Sequence, residues 1–115
     1  MSAESHYANA DRLPWRDSPF PGVQWKKLHH DGGEGSSAVL LKFEPGASYG
    51  AHSHPEGESY YVLEGSLIDN GQELGPGSYV RHGPGSSHLP RSVAGCVLLV
   101  LLSKPIEMVP TEGAD

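Results

Sequence analysis

The chain has 115 residues, with fourteen acidic against eight basic side chains and a formal net charge of −6, enough length for one domain around one core. That sign argues against a phosphate-binding surface, so neither nucleic acid nor an anionic membrane is an expected partner. A single cysteine allows no internal disulfide, no stretch reaches the roughly 18 apolar residues of a spanning helix, and "MSAESHYANADRLPW" lacks the basic start and apolar run of a secretory signal, so the expected setting is the cytoplasm.

Fifteen glycines and ten prolines punctuate short apolar segments instead of forming one low-complexity block, which reads as a turn-rich β protein. Residues 1–22 are expected to form an irregular arm. Its "LPWRDSPFPGV" holds three prolines that block regular pairing, with Leu13, Trp15 and Phe20 available to pack. "VQWKKLHH" (23–30) and "SAVLLKF" (37–43) read as strands separated by the turn "DGGEGS". "ESYYVLEG" (58–65), rich in aromatic and branched residues, is a third. Asn70-Gly71 inside "SLIDNGQEL" predicts a tight hairpin. "GSYVRH" (77–82) is a further strand, "GPGSS" a turn, and "HLPRSV" the start of another strand. "GCVLLVLL" (95–102), the most apolar run, predicts a central strand. A barrel is thus expected over 23–104, with a half-ordered tail over 105–115. No segment keeps helical periodicity for three turns, and seven to nine short strands predict a β-sandwich or barrel.

The chemistry concentrates in "GASYGAHSHPEGESYYVLEG" (46–65). Alternate residues of a strand share a face, so His52 and His54 project together, and Glu58 follows a turn able to bring it back opposite them. Two imidazoles and a carboxylate make a mixed nitrogen–oxygen metal site, for which His88 offers a fourth ligand. A bare His-x-His pair is more often two surface histidines. What strengthens this one is the full spacing G-x5-H-x-H-x3-E-x6-G, carried by Gly46, His52, His54, Glu58 and Gly65.

That string resembles the first motif of the cupin superfamily. "GSYVRHGPGSSH" is similar to the second, G-x5-P-x-G-x2-H, with Gly77, Gly85 and His88 in place. Gly83 stands at the usual proline and Ser92 at a common asparagine. "LPWRDSPFPGVQWKKL", "HPEGESYYVLEGSLIDNG", "GSYVRHGPGSSHLP" and the pair Gly95-Cys96 further resemble the ChrR-type cupins. These comprise the C-terminal domain of zinc-containing anti-sigma factors and stand-alone enzymes like acetylacetone-cleaving dioxygenase, which hold iron by three histidines. The resemblance implies an all-β, single-domain cupin: a conical double-stranded β-helix, or jelly-roll, with one divalent metal ion in its mouth. Iron or zinc is the foremost expectation, with manganese or nickel as others.

The metal ligands expected from motif and resemblance are His52, His54, Glu58 and His88. Glu58 and Tyr60 are the catalytic candidates, Glu58 as ligand or base and Tyr60 as a donor to a substrate oxygen. The plainer reading makes Tyr60 core, and Tyr49 a packed wall. His82, near the second motif, reads as a mouth or surface residue, His29 and His30 as solvated, and Cys96 as inert packing. Arg81 and Arg91 lie at the surface or greet an anionic substrate. The function expected is a dioxygenase-type enzyme acting on a small diketone-like or phenolic molecule. Against it stand a non-catalytic zinc sensor and a metal-dependent isomerase. A homodimer is expected, with Trp15, Phe20 and Trp25 at or near its interface.

Overall fold

The computed structural model describes residues 5–30, 36–50, 52–54, 57–103 and 107–108, the backbone alone at 53–54 and 107–108. The turn at 31–35 and most of the tail expected at 105–115 lie outside the described residues.

Within them the chain forms a 3-10 turn at Ala10–Arg12 and eleven strands. These are β1 (Arg16–Asp17), β2 (Val23–His30), β3 (Ser37–Phe43), β4 (His52–His54), β5 (Glu58–Gly65), β6 (Leu67–Asp69), β7 (Gln72–Leu74), β8 (Tyr79–His82), β9 (Ser86–His88), β10 (Cys96–Leu102) and β11 (Glu107–Met108). A six-stranded sheet runs β1-β2-β3-β10-β5-β8, a three-stranded sheet β11-β4-β9, and β6 and β7 pair as a hairpin. Every strand pairing is antiparallel. This is the all-β jelly-roll arrangement that the motifs implied.

The pleat explains which side chains make the core. β10 is apolar throughout, yet only Cys96, Leu98 and Val100 are buried, at alternate positions. β5 buries Glu58, Tyr60 and Val62 and exposes Tyr61 and Leu63. Leu98 pairs with Leu41 on one side and Val62 on the other, so the most apolar strand lies inside the sheet. A slip of one residue would turn Glu58 and Tyr60 outward.

Turn chemistry sets the corners. Asn70 and Gly71 both hold positive φ, 49° and 79°, as the tight hairpin between β6 and β7 requires. Gly65 ends β5 at φ +73°, where a Cβ would meet the Gly95 carbonyl oxygen at 2.0 Å. No other residue fits there, because the bulged crossing to β10 brings two backbones into contact.

Two local expectations are corrected. "HLPRSV" does not begin a strand: β9 is Ser86–His88 and ends at the histidine, taking in both serines of the expected turn. Pro90 has no N–H to donate to a ladder and is buried, its carbonyl accepting from Tyr49 N at 3.1 Å, while Arg91 makes isolated bridges to Ser48 and Ile68. The arm is also more regular than its prolines suggested, because β1 pairs with the edge of β2. Its aromatic groups dock on their own chain. Lys26 and Lys42 place ammonium groups 4.8 and 5.4 Å from the Trp15 ring, and Phe20 packs on Tyr49 with centroids 4.5 Å apart. Trp15 and Phe20 are thereby half-buried on their own chain.

Candidate metal centre

His52 on β4 and His88 on β9 are direct cross-strand partners in the three-stranded sheet. Cross-strand partners share a face. Glu58 opens β5 in the larger sheet, immediately after Gly57, whose φ is +88° and whose Cβ would lie 2.7 Å from the His82 carbonyl oxygen. That close approach seats the first residue of β5 against the last of β8 and brings Glu58 to the histidines. Ligand atoms of His52, Glu58 and His88 all lie within 4.8 Å of one another, and all three residues are buried.

The hydrogen bonds engage Nδ1 of each imidazole and turn Nε2 toward the other ring. His52 Nδ1 lies 3.0 Å from the Gly50 carbonyl oxygen, which only accepts, so this nitrogen carries the proton. His88 Nδ1 lies 2.9 Å from Asp69 Oδ1 and donates to it in the same way. The two Nε2 atoms face each other at 2.9 Å. Glu58 Oε1 stands 3.5 Å from His88 Nε2. Two imidazole nitrogens and a carboxylate oxygen at such spacing call for a proton or a cation among them. Two ligands each about 2.0–2.2 Å from one ion, at roughly 90–110°, lie about 2.8–3.6 Å apart. The donor set and its spacing fit a divalent ion.

His54 lies in β4 with its backbone opposite Ser86; its side chain lies outside the described residues.

Asp69 was absent from the expected site. Three donors converge on its buried carboxylate: His88 Nδ1 on Oδ1, and on Oδ2 both His82 Nε2 at 2.8 Å and the Tyr60 hydroxyl. Burial alone would raise its pKa, but the hydrogen bonds from His88, Tyr60 and His82 outweigh this and hold the carboxyl well below the usual range. The pleat offered a signal, since Leu67 and Asp69 share parity in "LID" and Leu67 is plainly core. The Asp-Asn-Gly context drew attention to the turn instead. Tyr60 is buried and lines the cavity, and its hydroxyl is engaged by Asp69. Burial and that hydrogen bond push its pKa far up, so it remains a phenol. His82 is half-buried within this network.

The centre opens onto a cavity of about 380 Å³ between the sheets. Trp25, Leu41, Leu98 and Val100 form its apolar walls, and Tyr49 and Phe20 close one side. Tyr49 sits edge-on to His52 with centroids 5.3 Å apart. Burial, reinforced by the charge of Glu58, pushes its pKa up to about 12. Volume and lining suit a small organic molecule. Cys96 is buried in β10. Burial outweighs its hydrogen bonds with Ser92 and Phe43 and pushes its thiol up to about 11, so it is an inert packing group at neutral pH. No helix among the described residues is long and apolar enough to cross a membrane.

A jelly-roll with paired motif histidines and a facing glutamate on the cavity wall defines a cupin. Residues 3–105 match the ChrR Cupin-like domain, and the chain belongs to that family. No curated protein matches the sequence. Among solved structures, a candidate acetylacetone dioxygenase from Methylibium petroleiphilum superposes with a TM-score of 0.89 at 20% identity, over 100% of this chain and 87% of that one. An acetylacetone dioxygenase from Acinetobacter johnsonii does so at 0.84 and 17% identity, covering 100% and 83%. The anti-sigma protein ChrR of Rhodobacter sphaeroides, solved in complex with SigE, gives 0.69 at 24% identity, over 82% of this chain and 50% of that chain.

Proposed function

We propose that this protein is a metal-dependent dioxygenase-type enzyme acting on a small diketone-like or phenolic molecule, with His52, His54, Glu58 and His88 as the ion's ligands. The observation that carries the reading is the pair of Nε2 atoms held 2.9 Å apart, with Glu58 beside them, on the wall of an apolar cavity. The family, and the likeness to two proteins named for acetylacetone dioxygenase activity, support it. A divalent ion held there supplies Lewis acidity and, if it is iron, redox chemistry with oxygen. The chain's own part is positional. The Gly50 carbonyl and Asp69 keep both imidazoles in the tautomer that presents Nε2. The apolar walls exclude water and hold the substrate's body. Glu58 serves as a further ligand or takes a proton from the substrate's acidic carbon or hydroxyl.

Metal analysis of protein prepared without added metal, followed by oxygen uptake with β-diketones and phenols, tests this reading. About one equivalent of iron and substrate-dependent uptake are expected. No metal, and no uptake after iron loading, would sink it. The likeness to ChrR supports a second reading as a non-catalytic zinc module. Stoichiometric zinc with no turnover in the iron-loaded protein would select that alternative.

A further inference from the structure

The larger sheet turns two basic residues toward the cavity at the end remote from the centre. Pairing of β2 with β3 runs Lys27 opposite Val39 and then His29 opposite Ala38, so Leu28 is an extra residue. Such a bulge resets the alternation. Lys27 on one side of it and His30 on the other both line the cavity, whereas a regular strand would turn position 30 outward. Two inward rows then cross the sheet in register. One is Lys27–Val39–Val100–Tyr60, the other His30–Ser37–Leu102–Glu58. Each row spans three strand spacings of about 4.8 Å, roughly 14 Å along the sheet. The cavity therefore has a basic end at Lys27 and His30, an apolar middle at Val39, Val100 and Leu102, and a carboxylate and metal-ligand end at Glu58, His52 and His88.

The Lys27 side chain crosses Trp25, its Nζ 4.6 Å from the ring centroid. The residue is exposed, and among the described residues no carboxylate pairs with it. A cation at the open end of an apolar cavity attracts an anion. Glu58 at the other end repels one.

We propose that the cavity takes a small molecule bearing one acidic group, a carboxylate or a similar anion, bound at Lys27 with its apolar body along Val39 and Val100. Its reacting group is thereby directed to the centre. The inference rests on the proposed reaction only for that last point. Ligand selection by Lys27 stands on the cavity alone.

The test titrates 3-phenylpropanoate and its uncharged twin, 3-phenylpropanamide, into the full chain. Binding is read from Trp25 fluorescence in a Trp15→Phe background and from calorimetry, on chelator-stripped and on zinc-loaded protein, with metal content assayed in the same samples. The acid is expected to bind at least tenfold more tightly than the amide, with an advantage that shrinks as salt rises. Lys27→Met keeps the stem across Trp25 and should abolish the preference without changing metal content; Lys27→Arg should retain it. Equal binding of acid and amide, binding of neither, or a preference that survives Lys27→Met would overturn the assignment. A preference lost in Lys27→Met while the protein takes up no metal would leave Lys27 in place and overturn the metal centre instead.

Discussion

His88 Nδ1 donates to Asp69 Oδ1 across 2.9 Å, joining β9 to the β6–β7 hairpin beneath the candidate centre. The same carboxylate receives His82 and Tyr60, so one side chain orients a candidate ligand histidine and links β6 to β5, β8 and β9. Asp69→Asn keeps the shape, but its amide NH2 then faces donors that need an acceptor. We expect metal affinity to fall about 10–100-fold, the usual effect of losing an outer partner of a ligating histidine. Competition against a chromophoric chelator measures this, with circular dichroism to show that the strands remain. Unchanged affinity would mean that Asp69 serves packing alone.

Glu58→Gln separates the two roles open to that residue. If the carboxylate binds the ion, the amide weakens binding and activity together. If it is a base, metal content persists and turnover alone drops, by the 10²–10⁴-fold typical of a lost general base. Metal titration beside oxygen uptake distinguishes the outcomes. Full activity in the variant would remove Glu58 from the chemistry.

Gly65→Ala is expected to destabilise the fold without touching the centre directly. The residue sits at φ +73°, and a Cβ would press on the Gly95 carbonyl oxygen. The loss should exceed the roughly 1–2 kcal/mol of a left-handed backbone alone, as read by urea denaturation. A drop of only a few tenths would show that the β5–β10 crossing relaxes easily.

Cys96 predicts an alkaline limb of stability. Its thiol is raised from 9.0 to about 11 by burial. A group whose folded pKa is raised contributes stability that is complete below the unfolded value and is lost as pH climbs through the folded one. Stability should therefore fall between about pH 9 and 11, and Cys96→Ala should flatten that part of the profile. In the native protein at pH 8 the thiol should react with iodoacetamide far more slowly than a free cysteine. Rapid modification would show that the strand opens locally.

Strands β2, β3 and β5 stand where the sequence placed them, over 23–30, 37–43 and 58–65, because alternation and turn residues are local signals. Asn70-Gly71 marked its hairpin for the same reason: both residues tolerate positive φ, and few neighbours bear on that choice. The spacing of His52, Glu58 and His88 was legible as motif, and the fold brings these three together. Asp69 was not legible as their support, since its role depends on β6 lying beneath β9, a relation between residues 19 apart. His30 read as the solvated end of a strand, and only the bulge at Leu28 turns it toward the cavity beside Lys27. "HLPRSV" carried the local signature of a strand, but burial of Pro90 and the bridges of Arg91 bent it away. Periodicity and turn chemistry act within a few residues, so the sequence determined which segments pair and which faces are apolar. Register, bulges and the stacking of one sheet on another join distant segments, and only the tertiary structure decided which polar groups meet inside.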